Sequence, residues 1–125
     1  MTNYLAVAIG GALGAVARYV IGSFFVPTVQ SGFPYGTFLV NVSGSFAIGF
    51  FLTLLEYKLK LDPVWRLAIA TGFLGAYTTF STFEFELLDL LDRKMHFMAV
   101  AYVLSSLMLG LIAVLTGSFL ARRLS

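Results

Sequence analysis

The sequence predicts an all-α integral membrane protein with four transmembrane helices, the third of which is broken near its middle. Of its 125 residues 59% are hydrophobic and only 11% are charged, whereas about a quarter of a soluble domain is charged. The charges also cluster: apart from tyrosines, Arg18 is the only ionisable side chain from residue 2 to residue 55, and residues 97–121 contain none. A soluble chain of this length could not bury so much apolar surface. We therefore expect a single transmembrane domain covering 1–125.

The first span is predicted at 3–25 and the second at 35–55, because both segments are apolar and long enough to cross a bilayer, which takes about 20 residues. The motif AVA at 15–17 resembles a signal-peptide cleavage site, but the residues before it lack a basic n-region and more apolar segments follow it. We expect the first span to be retained. The segment 26–34 has prolines near both ends and a glycine, which predicts a turn.

The third span, 63–91, follows a charged link at 56–62. Asp62 before Pro63 is typical of a helix N-cap with proline in the first turn. The fourth span, 97–120, is uninterrupted and ends before two arginines. Because the loops are too short to hold a soluble catalytic domain, we expect the protein to act within the bilayer.

The basic residues give only a weak orientation signal. With four spans, the N-terminus, the 56–66 link and the C-terminus share one side of the membrane. That side carries Lys58, Lys60, Arg66, Arg122 and Arg123, and the other carries Arg93 and Lys94, with Arg18 near the end of the first span. Five against three is a small bias by the positive-inside rule. The sequence therefore permits insertion in both orientations.

Several functional classes are disfavoured by the composition. Without cysteine there is neither a disulfide framework nor a thiolate metal site. The lone His96, beside Arg93 and Lys94, is predicted to be a solvated loop residue, because no second imidazole can join it as a ligand. A net charge of +2, with basic residues scattered at segment ends, does not indicate nucleic acid. No base–nucleophile pair is visible, so we do not expect an enzyme.

Polar residues follow one face of three predicted helices. In the second span Thr37, Asn41 and Ser45 are four residues apart and share a face. Similar stripes comprise Thr79, Thr82, Phe83 and Glu86 in the third span, and Tyr102, Ser106 and Gly110 in the fourth. Such groups either join helices through hydrogen bonds or line a cavity or pathway. An amide and a carboxylate among them favour a pathway.

The first span carries Gly10, Gly14, Arg18 and Gly22 at intervals of four residues. Gly10 and Gly14 predict a face for close helix packing. Arg18 either lines a vestibule or caps the end of a neighbouring helix.

The stretch GFLGAYTTFSTFEFE (72–86) indicates the break in the third helix. Gly72, Gly75 and the pair Thr78-Thr79 are weak helix formers near the middle of the predicted span. Backbone groups freed at membrane depth must be satisfied. Neighbouring hydroxyls can do so, or the freed carbonyls can bind a hard cation, as in transporters with discontinuous helices. Periodicity leaves both readings open.

Phe80 and Phe83 follow the break, three residues apart. They either fill space, as most aromatic residues of membrane helices do, or present electropositive ring edges to a small anion. A conducting site must bind its ion weakly. Ring edges and neutral donors such as Asn41 would bind an anion in that way.

Two motifs in this setting, GTFLVNVSG (36–44) and TGFLGAYTTFSTF (71–83), resemble those of the Fluc/CrcB family of fluoride channels, and the resemblance covers essentially the whole chain. It implies a channel that exports cytoplasmic fluoride passively and so reduces its toxicity, in a bacterial or archaeal cell membrane. It also implies an antiparallel, dual-topology homodimer with two fluoride pores and a structural Na⁺ at the helix break.

The resemblance also assigns roles to individual residues. The carbonyls that bind Na⁺ fall on Gly75 and Thr78, and the family's basic residue late in the first helix falls on Arg18. The fluoride pathway would comprise Asn41, Phe80, Ser81, Thr82, Phe83, Glu86, Tyr102 and Ser106. There are two departures from the pattern: Gly110 stands where some members offer a hydroxyl, and Glu84 adds a carboxylate that we expect to point away from the pathway.

One alternative is a small proton-coupled exporter of the multidrug type, which also forms antiparallel four-helix dimers. Such exporters need a carboxylate within the membrane on a substrate-facing helix, whereas the first span has none and Glu86 lies near a helix end. A non-transporting assembly subunit is a third hypothesis, for which the sequence gives no positive sign. Fluoride flux measured with and without a proton gradient separates the three.

Overall fold

The computed structural model describes residues 1–25 and 32–124, in which every regular element is a helix. The α-helices are α1 (Thr2–Phe24), α2 (Tyr35–Tyr57), α3 (Pro63–Arg66), α4 (Gly75–Tyr77), α5 (Phe80–Asp92) and α6 (His96–Leu124), and a π-helix (Leu67–Leu74) joins α3 to α4. The turn predicted at 26–34 lies outside the described residues except for 32–34. There, Gly32 has a φ of +102°, in the region that favours glycine.

Three of the described helices, α1, α2 and α6, are each long and apolar enough to cross a membrane. Their 23, 23 and 29 residues correspond to at least about 34 Å at 1.5 Å per residue, against a hydrocarbon core of about 30 Å. Their outward faces carry large apolar side chains such as Ile9 and Leu107, which are 62% and 64% exposed. A bilayer is the environment that covers such faces.

Glycines set the spacing between α1 and the π-helix, which pack along each other. A Cβ added at Gly10 would lie 2.1 Å from the carbonyl oxygen of Ala68. One added at Gly14 would lie 2.1 Å from the carbonyl oxygen of Phe73. The two backbones are therefore in direct contact, which confirms the close-packing face predicted for Gly10 and Gly14.

The pair formed by α2 and α6 is built in the same way. A Cβ at Gly49 would lie 2.3 Å from the Val114 carbonyl oxygen, and one at Gly117 would lie 2.2 Å from that of Phe46. No side chain fits between the two helices at these positions, so both glycines are required by the packing.

The third predicted span, 63–91, is not one continuous helix. It begins as predicted: the Asp62 carboxylate caps α3 by accepting a hydrogen bond from Val64 N (2.9 Å), and Pro63 stands in the first turn. After α3 the chain widens into the π-helix, which the sequence did not indicate. This segment then continues through α4 to the break.

The break lies at Thr78 and Thr79, where the backbone is extended (ψ 157° and 118°) between α4 and α5. Gly75 lies just before it, as the first residue of α4. Gly72, expected from the sequence to take part in the break, lies instead within the π-helix, where a Cβ would come within 2.8 Å of the Val7 carbonyl oxygen. Its small size serves the contact with α1 rather than a bend.

The link at 56–62 and the C-terminal end of α6 lie together at one end of the molecule. Lys58 Nζ donates a hydrogen bond to the carbonyl oxygen of Leu124. The Arg122 guanidinium lies 5.9 Å from the centroid of the Tyr57 ring, within cation–π range. These contacts join the end of α2 to the end of α6.

The opposite end contains the turn between α5 and α6. Arg93 pairs with Asp89 of the same helical stretch (3.2 Å), and Lys94 adopts a positive φ of 58° as the chain reverses. His96, predicted to lie in a loop, is the first residue of α6, where it is exposed.

We predict that Gly49→Ala lowers stability by about 1–3 kcal/mol, the usual cost of overpacking. The added methyl group would meet the Val114 backbone, which cannot rotate away as a side chain can. Gly22→Ala is the matched control, because a Cβ there meets no atom within 4 Å. Thermal unfolding in detergent, followed by circular dichroism, measures both. Equal midpoints for the two variants would show that α2 and α6 can separate without cost.

Candidate functional site

Asn41 holds the break through both ends of its side-chain amide. Its Nδ2 donates to the Thr79 carbonyl oxygen (3.0 Å), and its Oδ1 accepts a hydrogen bond from Thr79 N (2.8 Å). The amide therefore pairs with the extended backbone as a neighbouring strand would. Unpaired backbone groups at membrane depth cost several kcal/mol each. By satisfying the Thr79 N–H and bonding to the Thr79 carbonyl oxygen, Asn41 stabilises the break and fixes the start of α5 to α2.

The carbonyl groups of Gly75 and Thr78 are among those that lose their helical hydrogen-bond donors at the break. In a continuous helix, the Gly75 oxygen would accept from Thr79 N, which here donates to Asn41 instead. Likewise, the Thr78 oxygen would accept from Thr82 N, which here donates to Thr79 Oγ1 (3.3 Å) as part of the α5 N-cap. Gly75 and Thr78 are the residues whose carbonyls the sequence resemblance assigns to Na⁺.

Threonine hydroxyls satisfy other groups beside the break. Thr78 Oγ1 donates to the Leu74 carbonyl oxygen (2.9 Å), and Thr79 Oγ1 donates to Thr82 Oγ1 (3.0 Å). The hydroxyl interpretation of the sequence is therefore correct for these groups. These hydroxyls do not reach the carbonyls of Gly75 and Thr78, which are the candidate ligands for a cation that the resemblance implies.

A cleft of about 370 Å³ opens beside the break on the surface of the single chain. Asn41 and Ser45 of α2 line one side of it, and Gly75, Thr78 and Thr79 line the other. Both candidate cation ligands therefore belong to residues at one cleft. Among the residues that the structure describes, no cluster of three His, Cys, Asp or Glu side chains could hold a metal, so a cation here would rely on backbone and neutral oxygens.

The Glu86 carboxylate joins three helices. Thr37 Oγ1 of α2 donates to its Oε1 (2.6 Å), and Tyr102 OH of α6 donates to its Oε2 (2.7 Å). Each carboxylate oxygen therefore receives a strong hydrogen bond from a neutral hydroxyl. This arrangement brings Glu86 and Tyr102 together as the sequence suggested. Thr37, which the resemblance did not assign, is the third member, and its spacing of four from Asn41 was the available signal.

Phe80 and Phe83 lie in different environments within one chain. Their ring centroids are 6.0 Å apart. Phe83 is only 7% exposed and packs against the Tyr102 ring, 4.9 Å away between centroids. Phe80 is 73% exposed and borders the cleft. A pathway lined by both rings is therefore not enclosed by a single chain, and the roles assigned to them stay predictions.

Ser106 carries a buried hydroxyl that has no hydrogen-bond partner among the described residues. Leaving such a group unpaired costs about 1–3 kcal/mol, so it is a group able to donate to a ligand. One turn further on, a Cβ at Gly110 would lie 3.6 Å from Ser45 Oγ, so the polar stripes of α2 and α6 face each other. Ser81, by contrast, is exposed on the outer surface of α5.

Arg18 borders a cavity of about 290 Å³ that also touches Thr37, Thr79 and Thr82. Arg18 therefore lies beside residues of the polar stripes, as the vestibule interpretation requires, and its role stays a prediction. A second cavity, of about 220 Å³, shares Thr37 with the first and continues to Glu86, Asp89 and Arg93. The two cavities adjoin at Gly22, Gly36 and Thr37, and we call the polar residues that border them, from Thr79 to Arg93, the polar route.

Tyr77 also supports the break, and the sequence analysis did not assign it a role. Its OH lies 2.8 Å from Ser43 Oγ, and its ring stacks on Phe73 at 5.8 Å between centroids. A buried tyrosine needs a hydrogen-bond partner for its hydroxyl, and this requirement was the signal that could have identified Tyr77.

The chain is similar to known proteins along nearly its whole length. Residues 5–118 match the family described as "CrcB-like protein, Camphor Resistance (CrcB)". A fluoride-specific ion channel FluC of Acidobacterium capsulatum is 52% identical over 122 residues, covering 98% of each chain. The protein of the same name from Solibacter usitatus is 48% identical, covering 97% of this chain and 99% of its own. That of a Sulfurihydrogenibium species is 40% identical, over 99% and 100%.

We predict that Tyr102→Phe destabilises the fold by about 1.5–3 kcal/mol, the usual contribution of a hydrogen bond to a charged group. The substitution leaves Glu86 Oε2 without the donor that it has in the native protein. In a Glu86→Gln background the same change should cost less, because an amide needs that donor less than a carboxylate does. Unfolding midpoints of the two single variants and the double variant give the coupling. Additive effects would contradict an interaction between the two side chains.

Proposed function

Because the chain belongs to the CrcB family, we propose that it is a fluoride-selective ion channel through which cytoplasmic fluoride leaves the cell passively. The observation that carries this proposal is the nearly full-length similarity to proteins named fluoride-specific ion channels. Hydrogen fluoride enters cells from acidic surroundings and ionises inside, where the anion is trapped. A passive pathway for the anion lowers its internal concentration and therefore its toxicity.

The chain is a multi-pass protein of a bacterial cell membrane. To the three long helices we add a fourth crossing, made by the segments on either side of the break. The part before the break comprises α3, the π-helix and α4, and the part after it is α5. Each part is too short to cross alone. Joined at Thr78 and Thr79 they are long enough. The Asn41 amide supplies the hydrogen bonds that such a junction needs within lipid.

Fluoride is small and strongly hydrated, so its pathway must offer good hydrogen-bond donors in place of water. Asn41 has one amide N–H left after the bond to Thr79, because an –NH₂ group carries two donors. Ser106 offers a hydroxyl without a partner among the described residues. Arg18 borders the polar route that leads from the break to Glu86. These groups support a pathway along α2, α5 and α6.

Glu86 carries a negative charge that would oppose an anion nearby. Its two oxygens accept hydrogen bonds from the hydroxyls of Thr37 and Tyr102, and these bonds stabilise the negative charge. We propose that this pairing keeps the carboxylate from blocking the route. The rings of Phe80 and Phe83 would add electropositive edges, which bind an anion weakly enough for conduction.

The functional unit in this proposal is an antiparallel homodimer. The exposed ring of Phe80 and the open cleft at the break are surfaces that a second copy would cover. The mixed distribution of basic residues permits both orientations. An in-plane two-fold axis at the break would bring the carbonyls of Gly75 and Thr78 from both copies to one structural Na⁺. When bound, the ion would be coordinated by these carbonyl oxygens and would replace their missing hydrogen-bond donors.

The function is tested by ion efflux from liposomes that contain the purified protein. We expect fluoride efflux that is much faster than chloride efflux and that needs no proton gradient. Asn41→Asp should abolish most of it, because a carboxylate loses the donor to Thr79 and adds a negative charge at the pathway. Thr53→Val is a matched control on the same helix. It removes a buried hydrogen bond to Ser118 about 18 Å from Asn41 and should leave the flux intact.

Three results of this experiment decide between the hypotheses. Efflux that requires a proton gradient would instead support the proton-coupled exporter. Absence of flux in the wild-type protein would support an assembly role. Normal flux in Asn41→Asp would remove this residue from the pathway while leaving the channel proposal in place.

The sodium proposal predicts that fluoride efflux falls when Na⁺ is replaced by a larger cation on both sides of the membrane. Because the ligands are backbone oxygens, Thr78→Ser should conduct like the wild type, retaining its hydroxyl bond to Leu74. Labelling of a cysteine added at the C-terminus should reach both faces of the membrane. Sodium-independent flux, or labelling from one face only, would rule out this arrangement.

A further inference from the structure

The end of the chain that carries the 56–66 link is rich in basic side chains, and we refer to it as the basic end. It comprises Lys58, Lys60, Arg66, Arg122 and Arg123, together with two acidic residues, Glu56 and Asp62. The contacts of Lys58 with Leu124 and of Arg122 with the Tyr57 ring hold these elements together. Asp62 is engaged in capping α3. At the opposite end Arg93 is paired with Asp89, so the excess of positive charge lies at the basic end.

An apolar groove of about 530 Å³ begins next to the basic end. Its lining is formed by apolar residues of α1, α2, α3 and the π-helix, including Ala6, Ile9, Leu13, Phe51, Trp65 and Phe73. Trp65, which is 52% exposed, stands at its mouth directly before Arg66. The volume is within the roughly 300–1,000 Å³ of ligand pockets. The groove is on the α1 side of the chain, away from the cleft at the break, with which it shares no residue.

We propose that this groove holds an acyl chain of an anionic phospholipid whose phosphate headgroup lies among the cations of the basic end. Apart from the indole N–H of Trp65, the side chains that line the groove are apolar, which does not suit a water-soluble ligand. At the membrane surface, basic residues attract anionic headgroups, and Trp65 is of the residue type that anchors at headgroup level. Charge complementarity therefore selects an anionic lipid over a zwitterionic one. This inference does not depend on fluoride conduction.

Trp65 is the only tryptophan in the sequence, so its fluorescence reports contact at the mouth of the groove. The protein is reconstituted in two sets of vesicles with the same ratio of phosphatidylcholine to phosphatidylglycerol. In one set the phosphatidylglycerol carries brominated acyl chains, and in the other an equal mole fraction of the phosphatidylcholine does. Bromine quenches an indole only at close contact. We expect stronger quenching by labelled phosphatidylglycerol, and a loss of the difference at high salt, which screens exposed charges.

Variants separate headgroup recognition from general lipid contact. Each cation near the surface contributes about fivefold to the preference for an anionic lipid. Lys60→Gln with Arg66→Gln should therefore remove most of the difference between the two labels, whereas Arg93→Gln with Lys94→Gln, at the opposite end, should preserve it. Ala6→Phe fills the groove while keeping the cations, and should reduce quenching by labelled phosphatidylglycerol to the level of labelled phosphatidylcholine. Circular dichroism confirms that each variant is folded.

Three outcomes would overturn the proposal. Equal quenching by both labels in the wild-type protein would show an ordinary lipid-facing surface. A preference that survives replacement of all five cations of the basic end by Gln would place the headgroup elsewhere. Absence of quenching by either label would show that protein, such as a second copy, covers the groove.

Discussion

The paired hydrogen bonds between the Asn41 amide and the Thr79 backbone are the interaction on which the rest of the site depends. An asparagine side chain has the same donor and acceptor as a peptide group, so it can replace the helical acceptor that Thr79 N lacks and also bond to the Thr79 carbonyl. Without it, the N–H of Thr79 would lose the acceptor that it has at the break. With it, the helix can stop, release the carbonyls of Gly75 and Thr78, and restart as α5 with its own cap.

This pairing also determines where the polar side chains of α5 are located. Because Thr79 is fixed against α2, the first turns of α5 lie along that helix, and Glu86 reaches Thr37. The same placement turns Phe83 inwards onto Tyr102 and leaves Phe80 at the edge of the cleft. A single amide on α2 therefore orients the aromatic and acidic groups that follow the break.

Much of the fold could be predicted from the sequence because the determining signals are local. Apolar length predicts the membrane-crossing helices, Asp62-Pro63 predicts a helix start, and the interval of four between Gly10 and Gly14 predicts a contact face. The break was located near its true position, at Thr78 and Thr79, from weak helix formers. The π-helix was missed because one extra residue in a turn leaves an apolar segment equally apolar.

The site was less predictable because its contacts are tertiary. Asn41 and Thr79 are 38 residues apart, and nothing local to either indicates their pairing. The resemblance assigns Phe80 and Phe83 to the same pathway, but the burial of each ring depends on what packs opposite it. Gly72 shows the same limit. As a weak helix former it indicated a bend, whereas in the structure its small size allows close contact with the Val7 backbone of α1.

The glycine contacts between α2 and α6, and between α1 and the π-helix, have a consequence for the response to cold. A soluble domain has a temperature of maximum stability because unfolding exposes apolar surface to water and changes the heat capacity. Helix pairs within lipid are held by close van der Waals contact, since lipid tails are as apolar as the side chains they replace. Separating them exposes little surface to water, so the heat-capacity change is small. We therefore expect the pairs at Gly10 and Gly49 to persist at low temperature, when the hydrophobic stabilisation of a soluble core weakens.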